Sequence, residues 1–226
     1  MRRILLCFFV YFCLSNSCYA APCYGAKMPQ KNQLFWGVQT HSVLKRYLEE
    51  ENGKLRSLQE FVLISYGIFD WLSIDLKGGA GYIKQQPARE DRIDYSSYLG
   101  GGYGFRISLY DHQKTKIVFG FQHISVHPHS FNINGRKNKA VLDDWQLSLL
   151  ISGNFSIITP YVGTKYSRMD YIHWVDNVRN RVKSDLTKSV GLIVGVDIPM
   201  SNKAWLNVEG QFFDTEAFAA SLNFHF

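Results

Sequence analysis

The chain has 226 residues, of which 46% are hydrophobic, 15% aromatic and 19% charged, with a formal charge of +6. Apolar content this high excludes a disordered chain, and the length suits one domain or at most two. Beyond the N-terminus no apolar run approaches the roughly 20 residues of a spanning helix, and the mild basic excess does not point to nucleic acid.

The first element is an export signal. Met1-Arg2-Arg3 gives a basic start, residues 4–14 form an uncharged apolar stretch, and 15–21 are small and polar. Cleavage is expected after Cys18-Tyr19-Ala20, leaving 1–20 as signal peptide and 21–33 as a short N-terminal periplasmic segment. A lipoprotein signal wants Leu three residues before Cys18, and Ser15 stands there. Removal of Arg2 and Arg3 lowers the charge from +6 to +4, and Cys23 becomes the single remaining cysteine. One cysteine makes neither an internal disulfide nor a cysteine-based metal cluster.

From residue 34 onward the chain alternates with period two. Leu72, Ile74, Leu76, Ala80 and Tyr82 oppose Ser73, Asp75, Lys77, Gly79 and Gly81. Leu99, Gly101, Tyr103, Phe105 and Ile107 oppose Gly100, Gly102, Gly104 and Arg106, and Trp145, Leu147, Leu149 and Ile151 oppose Gln146, Ser148, Leu150 and Ser152. Phe218, Ala220, Leu222, Phe224 and Phe226 end the chain on one face. Half-buried strands produce this pattern and helices do not.

Strands are expected over 34–46, 55–68, 71–84, 95–109, 114–127, 139–152, 155–172, 182–198, 203–213 and 217–226. Tight connections at 69–70, 110–113, 153–154 and 199–202 alternate with longer polar ones at 49–53, 85–94, 128–138 and 174–181; the short link 214–216 is the exception. The pattern predicts an all-β fold, an antiparallel up-and-down transmembrane β-barrel of about ten strands over 34–226. Strands of this length exceed the roughly 9–11 residues needed to cross a bilayer at a tilt.

The face rich in glycine and isolated charges suits a narrow lumen, since a charge at the midplane of the lipid face costs about 2–4 kcal/mol. Asp75, Lys77, Arg106, Lys165, Asp197 and Glu209 are the expected lumen charge network, with Tyr161 and Gln146 adding hydrogen bonds. Aromatic residues such as Trp36, Tyr66, Trp71, Tyr110, Trp174 and Phe226 gather at strand ends, as membrane interfaces favour.

With its signal peptide, the Tyr66-Gly67-Ile68-Phe69-Asp70-Trp71-Leu72 hairpin, Thr159-Pro160-Tyr161-Val162-Gly163 and the end Phe224-His225-Phe226, the chain resembles the small outer-membrane β-barrel proteins of Gram-negative-type bacteria. That class includes the transmembrane domain of outer membrane protein A. The resemblance implies a place in the cell outer membrane, outer-membrane lipid as surroundings, and the barrel-assembly machinery as a partner in biogenesis. It further implies that Phe218, Leu222, Phe224 and Phe226 form the insertion signal read by that machinery.

Chemistry has three weaker candidates. Phe121-Gln122-His123-Ile124-Ser125 resembles the His-x-Ser segment of outer-membrane lipid A deacylases, which implies His123 as base for Ser125. That family follows Ser with Asn, where Val126 stands, and its Glu about a dozen residues on is missing, with Lys137 near that spacing. Asp143-Asp144 and Asp170-x-x-His173 are similar to omptin-type proteases only in residue type. His123, His127 and His129 share a strand face, but Pro128 interrupts them. The expected role is therefore structural or interactive, not enzymatic, with a narrow polar lumen, in a monomer with no cofactor or metal. The alternatives are a small-solute pore and a lipid A deacylase-like hydrolase.

Overall fold

The computed structural model describes residues 25–49, 52–87, 92–133 and 135–226, so the expected signal peptide lies outside the described residues. The strands are β1 (Leu34–Tyr47), β2 (Lys54–Phe69), β3 (Leu72–Gln86), β4 (Ile93–His112), β5 (Thr115–His127), β6 (Phe131–Ile133), β7 (Arg136–Gly153), β8 (Thr159–Val175), β9 (Val178–Lys183), β10 (Val190–Pro199), β11 (Ala204–Phe212) and β12 (Glu216–His225). Ten of them form the wall in the order β1-β2-β3-β4-β5-β7-β8-β10-β11-β12, and β12 pairs back onto β1. Closure satisfies every backbone group of the wall without water, which is what a bilayer demands. The short β6 and β9 pair with the ends of β7 and β8.

Two expected strands differ from the observed ones. The one expected over 155–172 begins at Thr159, because Phe155 and Ile158 bridge to each other and close a turn. The single strand expected over 182–198 is divided. Only residues 182–183 of it belong to β9, most of which occupies the connection expected at 174–181; β9 folds back on β8 through Asp176-Asn177, whose φ values of 48° and 71° suit a two-residue hairpin turn. A 3₁₀ turn, Leu186–Lys188, then leads into β10, with the Asp185 side chain accepting from the Thr187 amide.

The β2–β3, β4–β5, β7–β8 and β10–β11 connections lie at one rim, hereafter the short-turn rim, together with the start of β1 and the end of β12. The remaining connections form the long-loop rim. Outward residues such as Val62, Ile64, Ile74, Leu76, Leu147, Leu149 and Val194 are exposed and make an apolar belt. Aromatic pairs edge that belt at the short-turn rim, where Phe69 stacks on Trp71 at 5.4 Å and Trp36 on Phe224 at 4.7 Å.

Inside, the lumen is not polar along its whole length as the alternation suggested. Its loop-side half is an apolar core that includes Leu48, Leu55, Ile83, Tyr95, Val126, Leu142, Met169, Tyr171 and Val182. Polar inward residues fill the short-turn half, and buried polar groups such as Arg46, Gln85, Ser184 and Asp214 also sit beside the apolar core toward the long-loop rim. In the short-turn half the chain itself enters the mouth: Gly25, Ala26 and Met28 are buried, and Ala26 packs with Leu150, Tyr161 and Ile193.

Candidate functional site

Alternation carries the six expected charges to the lumen, where each is at most 6% exposed. Arg106 grips Asp75 with Nε and Nη2, both at 2.9 Å, a two-pronged geometry that only a guanidinium offers. The same head donates to Ser65 Oγ at 3.0 Å and to the carbonyls of Gly25 and Lys27, tying the N-terminal segment to β4. Lys77 donates to Gln39 at 3.1 Å. Asn207 joins Asp197 to the Tyr161 hydroxyl, both at 2.9 Å, and Tyr161 donates to Glu209 at 2.8 Å. Glycine makes room for this chain of bonds, since a Cβ on Gly195 would overlap the Tyr161 ring.

Lys165 has a partner that the alternation did not reveal. It stands 2.9 Å from Asp214, which also pairs with Arg46 at 2.5 Å, and the three side chains are 1%, 0% and 1% exposed in the order Lys165, Asp214, Arg46. Arg46 further donates to the Ser167 carbonyl and Ser184 Oγ. Asp144 is a second inward acid outside the expected lumen set, bonded to Gln146 at 2.5 Å and Ser167 at 3.0 Å. The buried triad persists because Asp214 answers both cations and Arg46 is further hydrogen-bonded.

His123 and Ser125 lie on the outward face of β5, near the long-loop rim. Ser125 is opposite Asp143 of β7 in the hairpin register, and its Oγ donates to that carboxylate at 2.5 Å. His127 Nε2 is 2.9 Å from the same oxygen, while His123 Nε2 is 3.7 Å from Asp143. His123 leans on Trp145, with centroids 4.1 Å apart, and Tyr103 is at 5.3 Å. The hydroxyl, two imidazoles and a carboxylate thus sit together among aromatic rings. The carboxylate holds the hydroxyl itself, whereas a hydrolytic relay uses it to orient the base.

Of the omptin-like candidates, Asp143 and Asp170 stand opposite each other in the β7–β8 register, and the rest lie apart. Asp143 faces outward and Asp144 inward; Asp170 is taken by Arg181 at 2.5 Å and Arg168 at 3.4 Å, and His173 contacts Asn138 at 2.9 Å. His129 stacks on Tyr98 at 4.1 Å, away from His123. Phe218, Leu222 and Phe224 alternate with the buried Ala217, Ala219, Ser221 and Asn223, and Phe226 is exposed at the end of the chain.

No family model and no curated protein matches the sequence. Among solved structures it is similar to the outer membrane protease OmpT from Escherichia coli, at 12% identity and TM-score 0.41 over 89% of this chain and 96% of that one. It is also similar to the translocator domain of autotransporter NalP from Neisseria meningitidis, at 12% identity and TM-score 0.46 over 89% and 90%. An outer membrane channel from Pseudomonas putida F1 aligns at 7% identity and TM-score 0.45 over 91% and 98%. Likeness this distant carries no activity to this chain. Its own geometry is sufficient for class and place: a closed antiparallel barrel with an apolar outer belt and aromatic edges is an outer-membrane β-barrel.

Proposed function

We propose that this barrel is neither an enzyme nor a pore, and that it serves a structural or interaction role through its outer surface. One observation carries the reading: the lumen is occupied from rim to rim. Ten strands lie close to the size that side chains can fill. Here the short-turn half holds paired ions and the N-terminal segment, and the loop-side half holds an apolar core beside the buried Arg46–Asp214–Lys165 triad. Beside Arg106 a cavity of about 20 Å³ remains, room for roughly one water. Side chains and paired ions leave a hydrated ion little room there. In planar bilayers the purified barrel is expected to pass no current; steady single-channel steps would establish the pore instead.

A second reading, an acyl hydrolase acting at Ser125, has one observation in its favour, the His127–Ser125–Asp143 contact on the membrane-facing wall. It predicts fatty acid release from radiolabelled outer-membrane lipid that disappears in Ser125→Ala. On the first reading neither protein releases any.

A further inference from the structure

The wall formed by β1, β2 and β3 carries an unusual set of cations where it meets the long-loop rim. Tyr47 of β1 lies between two ammonium groups, with Lys45 Nζ 4.8 Å and Lys188 Nζ 4.4 Å from its ring centre. Lys84 of β3 sits 5.1 Å over Tyr82. In the strand register Lys54 is opposite Tyr47, and Arg56 is directly opposite Lys84. Like charges placed across a strand pair repel.

Some of this charge is answered within the chain. Lys45 pairs with Glu216 at 2.8 Å, Lys84 approaches Asp94 at 3.8 Å, and Lys188 approaches Asp185 at 3.4 Å. Hydrogen bonds from Thr187 hold the Asp185 carboxyl below its ordinary range, so it is an anion. Lys54 and Arg56 have no acidic partner among the described residues. Next to them a cavity of about 530 Å³ opens between Tyr47, Lys54, Gly53, Gln86 and Lys188, with Asp185 on its margin. It is a hollow with cations on two sides and an aromatic wall, directly above the apolar belt.

We propose that this hollow binds the phosphate of an anionic lipid in the leaflet at the long-loop rim, with Lys54 and Lys188 on the phosphate, Arg56 and Lys84 beneath it, and Tyr47 and Tyr82 against the acyl-chain side. Cations just beyond an apolar belt draw anionic headgroups, and amphipathic rings at that depth hold the chain below them. A phosphate relieves the Arg56–Lys84 repulsion and supplies Lys54 with the counter-charge that the described residues withhold. The partner is a lipid, because the cationic surface runs from Lys54 through Arg56 and Lys84 down the outward face of β2 and β3, the same face that carries Val62, Ile64, Ile74 and Leu76 of the belt.

The test is selective retention. The full barrel is purified in detergent micelles containing equal amounts of phosphatidic acid and phosphatidylcholine, and the co-purifying lipids are counted. Phosphatidic acid is expected in excess over phosphatidylcholine, and Lys54→Gln and Arg56→Gln are each expected to reduce that excess about fivefold. Lys114→Gln with Lys203→Gln, at the short-turn rim, should leave it unchanged. Heat-modifiable migration on gels verifies that each variant is a folded barrel. Equal retention of the two lipids, or full retention by Lys54→Gln/Arg56→Gln, overturns the proposal. Inorganic phosphate binding without lipid enrichment overturns the lipid assignment in favour of the free ion. The outcome is separate from the closed-lumen reading, which bilayer current alone decides.

Discussion

Replacing Asp214 with Ala is expected to lower stability by about 3–5 kcal/mol, the cost of breaking a buried ion pair from one side. Arg46 and Lys165 both depend on this one carboxylate and both are 1% exposed, so its loss leaves two cations facing each other out of water. The effect is larger than for a simple pair, because repulsion replaces attraction. Asp214→Asn keeps the shape and restores none of the charge, so it belongs near the Ala value. Asp94→Asn provides the contrast: that carboxylate is 40% exposed, and its contacts to Lys84 and Arg92 are worth about 0–1 kcal/mol. Urea midpoints of the three variants in lipid vesicles measure the difference. Equal midpoints for Asp214→Ala and Asp94→Asn would mean that water reaches the triad.

This triad also marks where the sequence stops being legible. Period two sorts inward from outward residues well in the strand centres, which is how Asp75, Arg106, Lys165, Asp197 and Glu209 can be assigned to the lumen without a structure. Counted from Leu34, however, Arg46 falls on the outward side with Trp36 and Val38. A bulge between Val43 and Lys45 reverses the parity and turns Arg46 inward. A bulge inserts one residue without any fixed sequence mark. Asp214 lies in the brief link between β11 and β12, where alternation has nothing to say.

Strand pairing hides information in the same way. Ser125 and Asp143 are 18 residues apart and become neighbours only through the β5–β7 register, which depends on the length of the intervening loop. Near the long-loop rim some inward positions turn apolar, as when Ile83 follows the inward Ser73, Asp75 and Lys77 of β3. Alternation fades there, and the dry core it would have disclosed is invisible. The stretch at 25–33 has no periodicity at all. Its place in the lumen comes from carbonyl groups, which any sequence supplies equally.

Arg106→Ala tests how the lumen is sealed. Asp75 is fully buried and loses both of its bonds to the guanidinium, so a loss of about 3–5 kcal/mol is expected here too. The carbonyls of Gly25 and Lys27 lose their donor at the same time. The N-terminal segment should then leave the mouth more readily, and trypsin should cut after Lys27 faster than in the parent protein. Current is a different matter. The apolar core formed by Leu55, Ile83, Val126, Leu142 and Met169 lies toward the opposite rim, and an ion does not enter apolar surroundings of this kind cheaply. The expected result is a weaker barrel with a loosened N-terminus that still carries no current. A leak in Arg106→Ala would show instead that the ion network and the segment it tethers are the seal, and that the apolar half opens once they are gone.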